Sequence, residues 1–303
     1  MSVPTVGVVV PTRDRPELLR RTLAAIGAQD YVGPVRVVVV HDQSTPDHSA
    51  AAGALPTLVL GNSRTPGLAG ARNTGIAALD TDLVAFCDDD DVWTPDKLSR
   101  QVAMLSTRPD ALVASCAIEV EFRDAVITRL AGTDTVTVAD LSRSRMAMLH
   151  SSTLLLRRAA MLSGGAIGPV AEDAPGGQNE DWDLLLRAAR RAPIAHLDAP
   201  LVRVLWGRTS QFAYEYQSKI ASLRWMLDRH PEIAASRPGA ARVYGQLACW
   251  CAAAGDRRAA WRWTRRAVGR RWREPRAAIA VAAIAGVPVE RVVTALHRRG
   301  RGI

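Results

Sequence analysis

The hydrophobic pattern of the first half of the chain predicts short buried strands that alternate with amphipathic helices. The predicted strands are apolar runs without the alternation of a half-exposed strand, at residues 6–10, 35–40, 58–60 and 83–87. The predicted helices carry apolar residues at helical spacing, at residues 17–29, 68–79 and 95–106. Strands that alternate with helices form parallel sheets with right-handed crossovers, so the predicted fold class is α/β.

The pattern changes after residue 110, where longer strands of the antiparallel type are predicted. They cover residues 111–122, 125–130 and 153–156, and two short strands at 194–197 and 201–205 close this part of the chain. Residues 164–178 are rich in glycine and proline, which predicts a mobile loop rather than core. The loop ends at Asn179, a predicted N-cap, and the helix that follows runs to about Arg191.

From residue 211 onward the pattern is helical, so the chain is predicted to divide into residues 1–210 and a helical region at residues 211–303. The net charge of +9 is concentrated in a tail, residues 255–303, which holds thirteen arginines and three acidic residues. Two explanations of this tail remain open. Its helices cover apolar surface on the preceding domain, or their arginines make peripheral contact with an anionic membrane surface.

The composition is that of a soluble globular protein, with 303 residues of which 48% are hydrophobic and 23% are charged. The four cysteines form no CxxC pair, which favours free thiols in a reducing compartment. The first residues do not resemble a signal peptide, and the longest apolar run, residues 277–289, is too short to span a bilayer. These observations predict a cytoplasmic protein.

The candidate chemistry centres on four consecutive aspartates, Asp88 to Asp91, directly after the predicted strand at residues 83–87. The carboxyl ends of strands are where open α/β sheets bind ligands. Adjacent carboxylates repel one another, which favours a bound cation, and an extended backbone would place Asp88 and Asp90 on one face. Two such oxygen ligands suit Mg²⁺ or Mn²⁺. A solvated acidic turn that caps the next helix is the alternative.

Polar residues also follow the first two predicted strands, at residues 12–15 and 41–44, and would lie at the same sheet edge. The glycine-rich segment 67–75 adds Arg72, whose forked guanidinium suits phosphate oxygens, although a solvated arginine at a helix N-terminus is the alternative. Glu180 and Asp181 suit the start of a helix because they complement its dipole. Beside a metal–phosphate site, a carboxylate there would instead serve as a general base.

Four segments together resemble the family-2 glycosyltransferases of the GT-A fold. They follow one another in the order and spacing of that family over about residues 3–210. Residues 8–16 are similar to its first nucleotide-binding loop, 67–75 to its Gly-Ala-Arg-Asn segment, 86–93 to its DxD motif and 180–181 to its Glu-Asp pair.

The resemblance implies a Rossmann-like, mostly parallel sheet with a small antiparallel acceptor-side portion, followed by the helical region. It implies that Asp181 is the catalytic base and that Asp90 and Asp88 bind Mg²⁺ or Mn²⁺. The residues it implies for donor binding are Pro11, Thr12, Arg13, Arg15, Asp42, Gly67, Arg72, Asn73, Asp88 and Asp89. Two positions depart from the family. His41 stands where an aspartate usually recognises the nucleobase, so either Asp42 substitutes for it or base recognition differs. Trp206 stands where a histidine is common.

The function that the resemblance implies is an inverting glycosyltransferase with a nucleoside-diphosphate sugar donor and no nucleic-acid partner. Its acceptor would be a small molecule, a peptide or a glycan that offers a hydroxyl or another nucleophile. The competing prediction is a non-catalytic protein that binds a nucleotide or an anionic polymer through the basic tail. The enzyme accounts for four separate motifs, whereas the binding protein accounts only for the tail.

Overall fold

The computed structural model describes residues 3–122, 125–206 and 215–287. The side chain of Trp206, the residues directly after it and the last part of the arginine-rich tail, 288–303, lie outside the described residues. The chain forms two compact units. The first comprises residues 1–137, 146–172 and 187–206, and the second comprises 138–145, 173–186 and 207–303. Two segments that precede residue 210 therefore group with the C-terminal helices.

The first unit is built on one sheet, which contains ten strands among the residues described. They are β1 (Val6–Thr12), β2 (Val35–His41), β3 (Thr57–Gly61), β4 (Leu83–Phe86), β5 (Val92–Trp93), β6 (Val113–Phe122), β7 (Ala125–Arg129), β8 (Thr135–Val136), β9 (Leu155–Arg157) and β10 (Ile194–Trp206). Their order is β3-β2-β1-β4-β9-β6-β10-β5, with β7 beside β6 and β8 beside β10. Strands β1 to β4 pair in parallel, and β9 runs antiparallel to β4 and β6. The predicted α/β class with a mostly parallel sheet is confirmed.

Eleven α-helices lie in the described parts of the chain. They are α1 (Pro16–Gly27), α2 (Leu68–Ala78), α3 (Lys97–Thr107), α4 (Val138–Arg143), α5 (Arg158–Met161), α6 (Glu180–Ala189), α7 (Tyr216–Arg229), α8 (Pro231–Ala235), α9 (Arg237–Ala253), α10 (Arg257–Arg270) and α11 (Pro275–Ile284). Helices α4 and α7 to α11 belong to the second unit, and α6 begins in it.

The core of the first unit follows from the continuous apolar strands. All seven residues of β1 are buried, which requires cover on both faces of the sheet. Val8 and Val10 of β1 pack in one cluster with Leu19 and Ile26 of α1. Each such side chain contributes about 1.5–3 kcal/mol when it is fully buried, so these strands fix the position of the loops at their ends.

The predicted strands and helices before residue 160 are present, with ends that differ by at most two residues. The prediction of two strands at 194–197 and 201–205 is wrong, because β10 is one strand with register shifts on either side of Pro200. A bulge interrupts the apolar pattern without ending the strand. The short elements β5, β8, α4 and α5 were not predicted, because two to six residues are too few to establish a period.

The helices of the second unit pack through small residues. Ala248 and Cys249 of α9 form a cluster with Ala280 of α11, and the partly buried Trp263 of α10 packs against it. All four cysteines are free thiols with buried side chains, and the reducing compartment stays a prediction. No helix in the described ranges has the length and apolar character needed to cross a membrane, and the cytoplasmic location stays a prediction.

Gly70 in α2 provides a test of the packing beside the glycine-rich segment. A Cβ at residue 70 would overlap the carbonyl oxygen of Thr65, which belongs to the backbone and cannot rotate away. We expect Gly70→Ala to lower the free energy of unfolding by about 1–3 kcal/mol in denaturant titrations. Gly269→Ala is the matched helical control, because nothing lies within 4 Å of its Cβ position, and it should be neutral or stabilising by up to about 1 kcal/mol. Equal effects of the two substitutions would contradict this packing.

Candidate active site

The topology of the first unit brings three chain segments to one edge of the sheet. Since β1 and β4 are parallel neighbours, the segments that follow them, 12–15 and 88–91, emerge together. Since β9 runs antiparallel to β4, the segment that precedes it, 150–153, lies at the same edge. Of the predicted donor-binding residues here, Pro11 is buried near the end of β1 and Arg13 is exposed after it.

The four aspartates form a turn, which is closed by the backbone N–H of Asp91 donating to the carbonyl of Asp88 at 3.1 Å. The expectation of an extended backbone, with Asp88 and Asp90 on one face, is therefore wrong. The chain turns directly after β4, and the turn brings the carboxylates of Asp88 and Asp91 near the imidazole of His150.

Asp88 lies at the centre of a hydrogen-bond network. Arg72 of α2, whose side chain is 2% exposed, donates to one carboxylate oxygen at 2.8 Å, and Ser151 donates to the other at 3.0 Å. The backbone N–H of Asp88 donates to Ser152 Oγ at 2.9 Å. Burial acts to raise the pKa of Asp88, but the charges of Arg72 and His150 outweigh it and the pKa is lowered. Arg72 therefore joins the site through Asp88.

Asp89 and Asp90 are held by the loop that follows β1. Thr12 donates to Asp89 at 2.7 Å, and Arg15 Nη1 lies 3.3 Å from an oxygen of Asp89 and 3.1 Å from one of Asp90. Burial, together with the neighbouring aspartates, raises the pKa of Asp90 to about 7. A bound cation would favour the ionised form, and the role of Asp90 as a metal ligand stays a prediction.

A group of residues suited to a metal ion lies beside this loop. Among the residues described, Asp88, Asp91 and His150 offer ligand atoms within 4.8 Å of one another. The side chain of Asp91 is 1% exposed, and its carboxylate lies 3.2 Å from His150 Nδ1 but accepts no hydrogen bond from a described residue. Burial of an ionised carboxylate without hydrogen bonds destabilises the folded protein unless a positive charge lies close to it. Carboxylate and imidazole ligands suit a divalent ion, so these residues fit Mg²⁺ or Mn²⁺.

His150 was not found by sequence analysis. It lies far along the chain from the aspartates, in no metal-binding spacing, and only the antiparallel pairing of β9 with β4 brings it to them. Only the order of the strands in the sheet shows that His150 lies near the aspartates, and local sequence patterns do not predict that order.

A cavity of about 470 Å³ lies at the ends of β2 and β3 and is lined in part by His41, Gln43 and Asn62. Beside it, the carboxylate of Asp42 accepts hydrogen bonds from the backbone N–H of Gly67 at 3.0 Å, from Asn62 at 2.7 Å and from Gln43 at 3.0 Å. Burial acts to raise the pKa of Asp42, but these hydrogen bonds lower it overall. The structure thus joins Asp42 to Gly67, and their contact with a donor stays a prediction.

Asn73 contacts the glycine-rich segment 164–178. Its amide donates to the carbonyl of Val170 at 2.9 Å and to Glu172 at 2.7 Å, and the N–H of Val170 donates back at 2.9 Å. Val170 is buried, as is Ile167 in the same segment. The expectation that this segment lies outside the core is therefore wrong, because Asn73 fastens it to α2.

Asp181, the predicted base, lies at the start of α6 and belongs to the second unit. Arg145 Nη2 donates to both of its carboxylate oxygens, at 3.0 and 2.8 Å. One of those oxygens also accepts from the N–H of Trp182 at 2.7 Å. The carboxylate of Asp181 raises the pKa of Arg145, which keeps the guanidinium charged. The orientation of Asp181 is thus set by a cation and by its own helix.

Side-chain contacts hold the start of α6, and sequence analysis identified only Asn179 among the residues that make them. Asn179, the predicted N-cap, has a φ of 65° and its amide donates to Ser222 at 2.7 Å. Asp183 is fully buried, accepts a hydrogen bond from Arg229 at 2.7 Å and lies 2.9 Å from His230 Nε2. These contacts within the second unit fix the first turn of α6, on which Asp181 lies.

The mostly parallel sheet, with an acidic turn after its central strand β4, is shared with solved structures of the GT-A glycosyltransferase fold. Residues 7–159, about half of the chain, match the family model described as Glycosyl transferase family 2. The chain belongs to this family of glycosyltransferases, as the resemblance of its four motifs implied.

Similar proteins include one named for succinoglycan biosynthesis and one named for amylovoran biosynthesis. The succinoglycan biosynthesis protein ExoW of Rhizobium meliloti is 41% identical over 101 residues, which are 30% of this chain and 31% of that protein. The amylovoran biosynthesis glycosyltransferase AmsB of Erwinia amylovora is 33% identical over 106 residues, 32% of this chain and 35% of that protein. The matches span about a third of the length of these relatives.

Solved structures share the fold over almost the whole chain. S. aureus TarS 1-349 in complex with UDP-GlcNAc has a TM-score of 0.61 at 17% identity and covers 98% of this chain and 92% of that one. The mannosyltransferase PcManGT from Pyrobaculum calidifontis, in complex with GDP-Man and Mn²⁺, has a TM-score of 0.56 at 20% identity and covers 93% and 86%.

The metal site is testable without an activity assay. We expect Mn²⁺ to raise the thermal unfolding midpoint of the wild type, because it neutralises a buried carboxylate. Asp91→Asn and His150→Gln should each require a roughly 10–100-fold higher Mn²⁺ concentration for the same shift. Asp80→Asn, on the exposed surface, is the control. If both site variants titrate like the wild type, these residues do not hold the ion.

The contact between Asn73 and Glu172 should make the stability of the protein depend on pH. Burial acts to raise the pKa of Glu172, but hydrogen bonds from Asn73, Arg64 and Thr65 lower it from 4.5 to about 2. Because the pKa of Glu172 is lower in the folded protein than in the unfolded chain, ionisation of its carboxyl stabilises the folded state. The full stabilisation is present above pH 4.5, the pKa in the unfolded chain, and it is lost as the pH falls towards about 2.

We therefore expect the unfolding free energy of Glu172→Gln to depend less steeply on pH between 4.5 and about 2 than that of the wild type. The decrease in slope should correspond to up to about one proton taken up on unfolding. Denaturant titrations at a series of pH values measure that slope. Glu17→Gln, at an exposed position, is the control. A slope in Glu172→Gln as steep as in the wild type would show that the contact does not form.

Proposed function

We propose that the protein is an inverting glycosyltransferase, which moves a sugar from a nucleoside-diphosphate sugar to an acceptor hydroxyl with the help of a divalent cation. The observation that carries the proposal is the buried carboxylate of Asp91, without a hydrogen-bond donor among the described residues and close to Asp88 and His150. The ligands in two structures of similar fold, UDP-GlcNAc in one and GDP-Man with Mn²⁺ in the other, point to the same chemistry.

Asp88 would hold Mg²⁺ or Mn²⁺ together with Asp91, His150 and the predicted ligand Asp90. When bound, the cation neutralises charge on the departing diphosphate, a contribution of several kcal/mol. Arg15 is placed at the same edge by its contacts with the acidic turn. The remaining predicted donor residues would bind the nucleotide; they are Pro11, Thr12, Arg13, Asp42, Gly67, Arg72, Asn73 and Asp89.

Asp181 would accept the proton of the acceptor hydroxyl as that oxygen attacks the anomeric carbon. The bond from that carbon to the phosphate oxygen breaks, and its electron pair leaves with the nucleoside diphosphate. Arg145 would orient the carboxylate of Asp181 through its two hydrogen bonds. One displacement with one base and no protein nucleophile inverts the anomeric centre, so an α-linked donor gives a β-linked product.

The experiment is to incubate the protein with a panel of nucleotide sugars and to measure release of nucleoside diphosphate with Mn²⁺ and with excess EDTA. We expect one donor to be consumed with Mn²⁺, and EDTA to abolish its consumption. The alternative, a non-catalytic protein that binds a nucleotide or an anionic polymer, predicts binding without consumption of any donor. That result would overturn the proposed function.

The base has its own variant test. We expect Asp181→Asn to lower kcat by at least about 10²-fold and to leave the Kd of the donor nearly unchanged, because a base acts on the acceptor in the chemical step. Glu180→Gln, the adjacent carboxylate, is the matched control and should retain most of the activity. If Glu180→Gln stops turnover while Asp181→Asn does not, the two roles are reversed.

A further inference from the structure

Helix α10, Arg257–Arg270, has an inner face of small residues and an outer face of arginines. The buried residues of the helix are Ala259, Ala260, Thr264 and Ala267. Arg258, Arg262 and Arg265 are exposed, and at 100° per residue they lie on the side opposite the buried residues. The small residues therefore face the packed side of the helix, and packing gives no reason for the arginines at residues 258, 262 and 265.

Arginines outnumber the acidic residues on and beside the helix, where Asp256 caps the first turn. From residue 257 to residue 273 the chain carries eight arginines and no aspartate or glutamate. Within the described ranges, none of the ion pairs involves Arg258, Arg262 or Arg265, whereas Arg36 and Arg108 of the first unit pair with aspartates. Arginines fixed side by side on a helix create a positive surface, which attracts anions.

Exposed apolar residues adjoin these arginines. The exposed fraction is 52% for Trp261 on α10 and 72% for Trp272 just after it. A groove of about 800 Å³ is lined by Trp261 together with Val281 and Ile284 of α11, and Asp256, Arg258 and Arg262 also border it. Tryptophan beside arginine on an exposed helix is the combination that lies at the boundary between lipid headgroups and acyl chains.

We propose that this surface, which we call the arginine–tryptophan face and define by Arg258, Trp261, Arg262, Arg265 and Trp272, binds an anionic lipid bilayer. The arginines contact the headgroup phosphates, and the tryptophans enter the interface beside them. A nucleic acid would use the same charges and would stack its bases on aromatic rings. A nucleic acid would gain little from contact with the aliphatic side chains of the groove, whereas lipid acyl chains would pack against them. The groove therefore favours a lipid surface.

The test uses the full chain and flotation with two kinds of vesicle, phosphatidylcholine alone and phosphatidylcholine mixed with phosphatidylglycerol. At low ionic strength we expect the chain to float with the anionic vesicles and not with the neutral ones. Salt of about 0.5 M should release most of it, because screening shortens the reach of the charges. Absence of flotation with anionic vesicles, or equal flotation with both kinds, would overturn the proposal.

A triple variant assigns the binding to the face. Arg258→Ser, Arg262→Ser and Arg265→Ser together should weaken the affinity for anionic vesicles by at least about 10-fold. The control removes the same charge from the first unit through Arg21→Ser, Arg36→Ser and Arg191→Ser, all at exposed positions. Equal weakening in both variants would show a general effect of net charge and would overturn the proposal.

Two further measurements separate the lipid surface from its alternatives. Trp261→Ser should reduce the fraction of chain that stays bound in salt, because the interfacial anchor is gone. Single-stranded RNA should bind the wild type more weakly than anionic vesicles do. RNA binding as tight as vesicle binding, lost in the same arginine variant, would identify a polyanion site instead. Donor consumption in the absence of vesicles should be the same in the wild type and the triple variant, so this proposal and the proposed function fail separately.

Discussion

The structure of the site depends on the repulsion among four aspartates that follow one buried strand. Strand β4 cannot shift, because its four residues are buried between parallel and antiparallel neighbours. The acidic turn is therefore fixed at the sheet edge, and neighbouring segments compensate its charge. Arg15 contacts Asp89 and Asp90, and Arg72 contacts Asp88. Asp91 accepts no hydrogen bond from a described side chain, lies 3.2 Å from His150 Nδ1 and is the group that a cation would compensate together with His150.

The parts of the fold that could be predicted are those with a local pattern. Continuous apolar strands and helical periodicity identified the α/β class, and the acidic run and Arg72 identified the edge that carries the site. The antiparallel insertion of β9 between β4 and β6 has no local signature, and His150 was missed for that reason. The extended backbone assumed for Asp88 and Asp90 is wrong because the chain turns directly after β4, with a hydrogen bond from the N–H of Asp91 to the carbonyl of Asp88. Asn73 was predicted from its motif, but its contact with Val170 is a tertiary pairing that spacing does not reveal.

In the second unit, as in the first, carboxylates are held by neighbouring basic side chains. Arg145 holds Asp181 through two hydrogen bonds, and Asp183 is fixed by contacts with Arg229 and His230. The helix that carries the proposed base is thus held at its first turn by ionic contacts that are internal to the unit. The exposed arginines of α10 have no such partners in the described part of the chain, which distinguishes a surface available for binding from charge used in packing.

The most direct measurement of the central claim is anomalous diffraction from crystals of the protein grown or soaked with Mn²⁺. The account predicts one strong anomalous peak at the end of β4, at about 2.0–2.2 Å from oxygens of Asp88 and at least one of its neighbours Asp90 and Asp91. A peak at another place on the chain, or no peak at a Mn²⁺ concentration that saturates the unfolding shift, would contradict the claim that the acidic turn holds the cation.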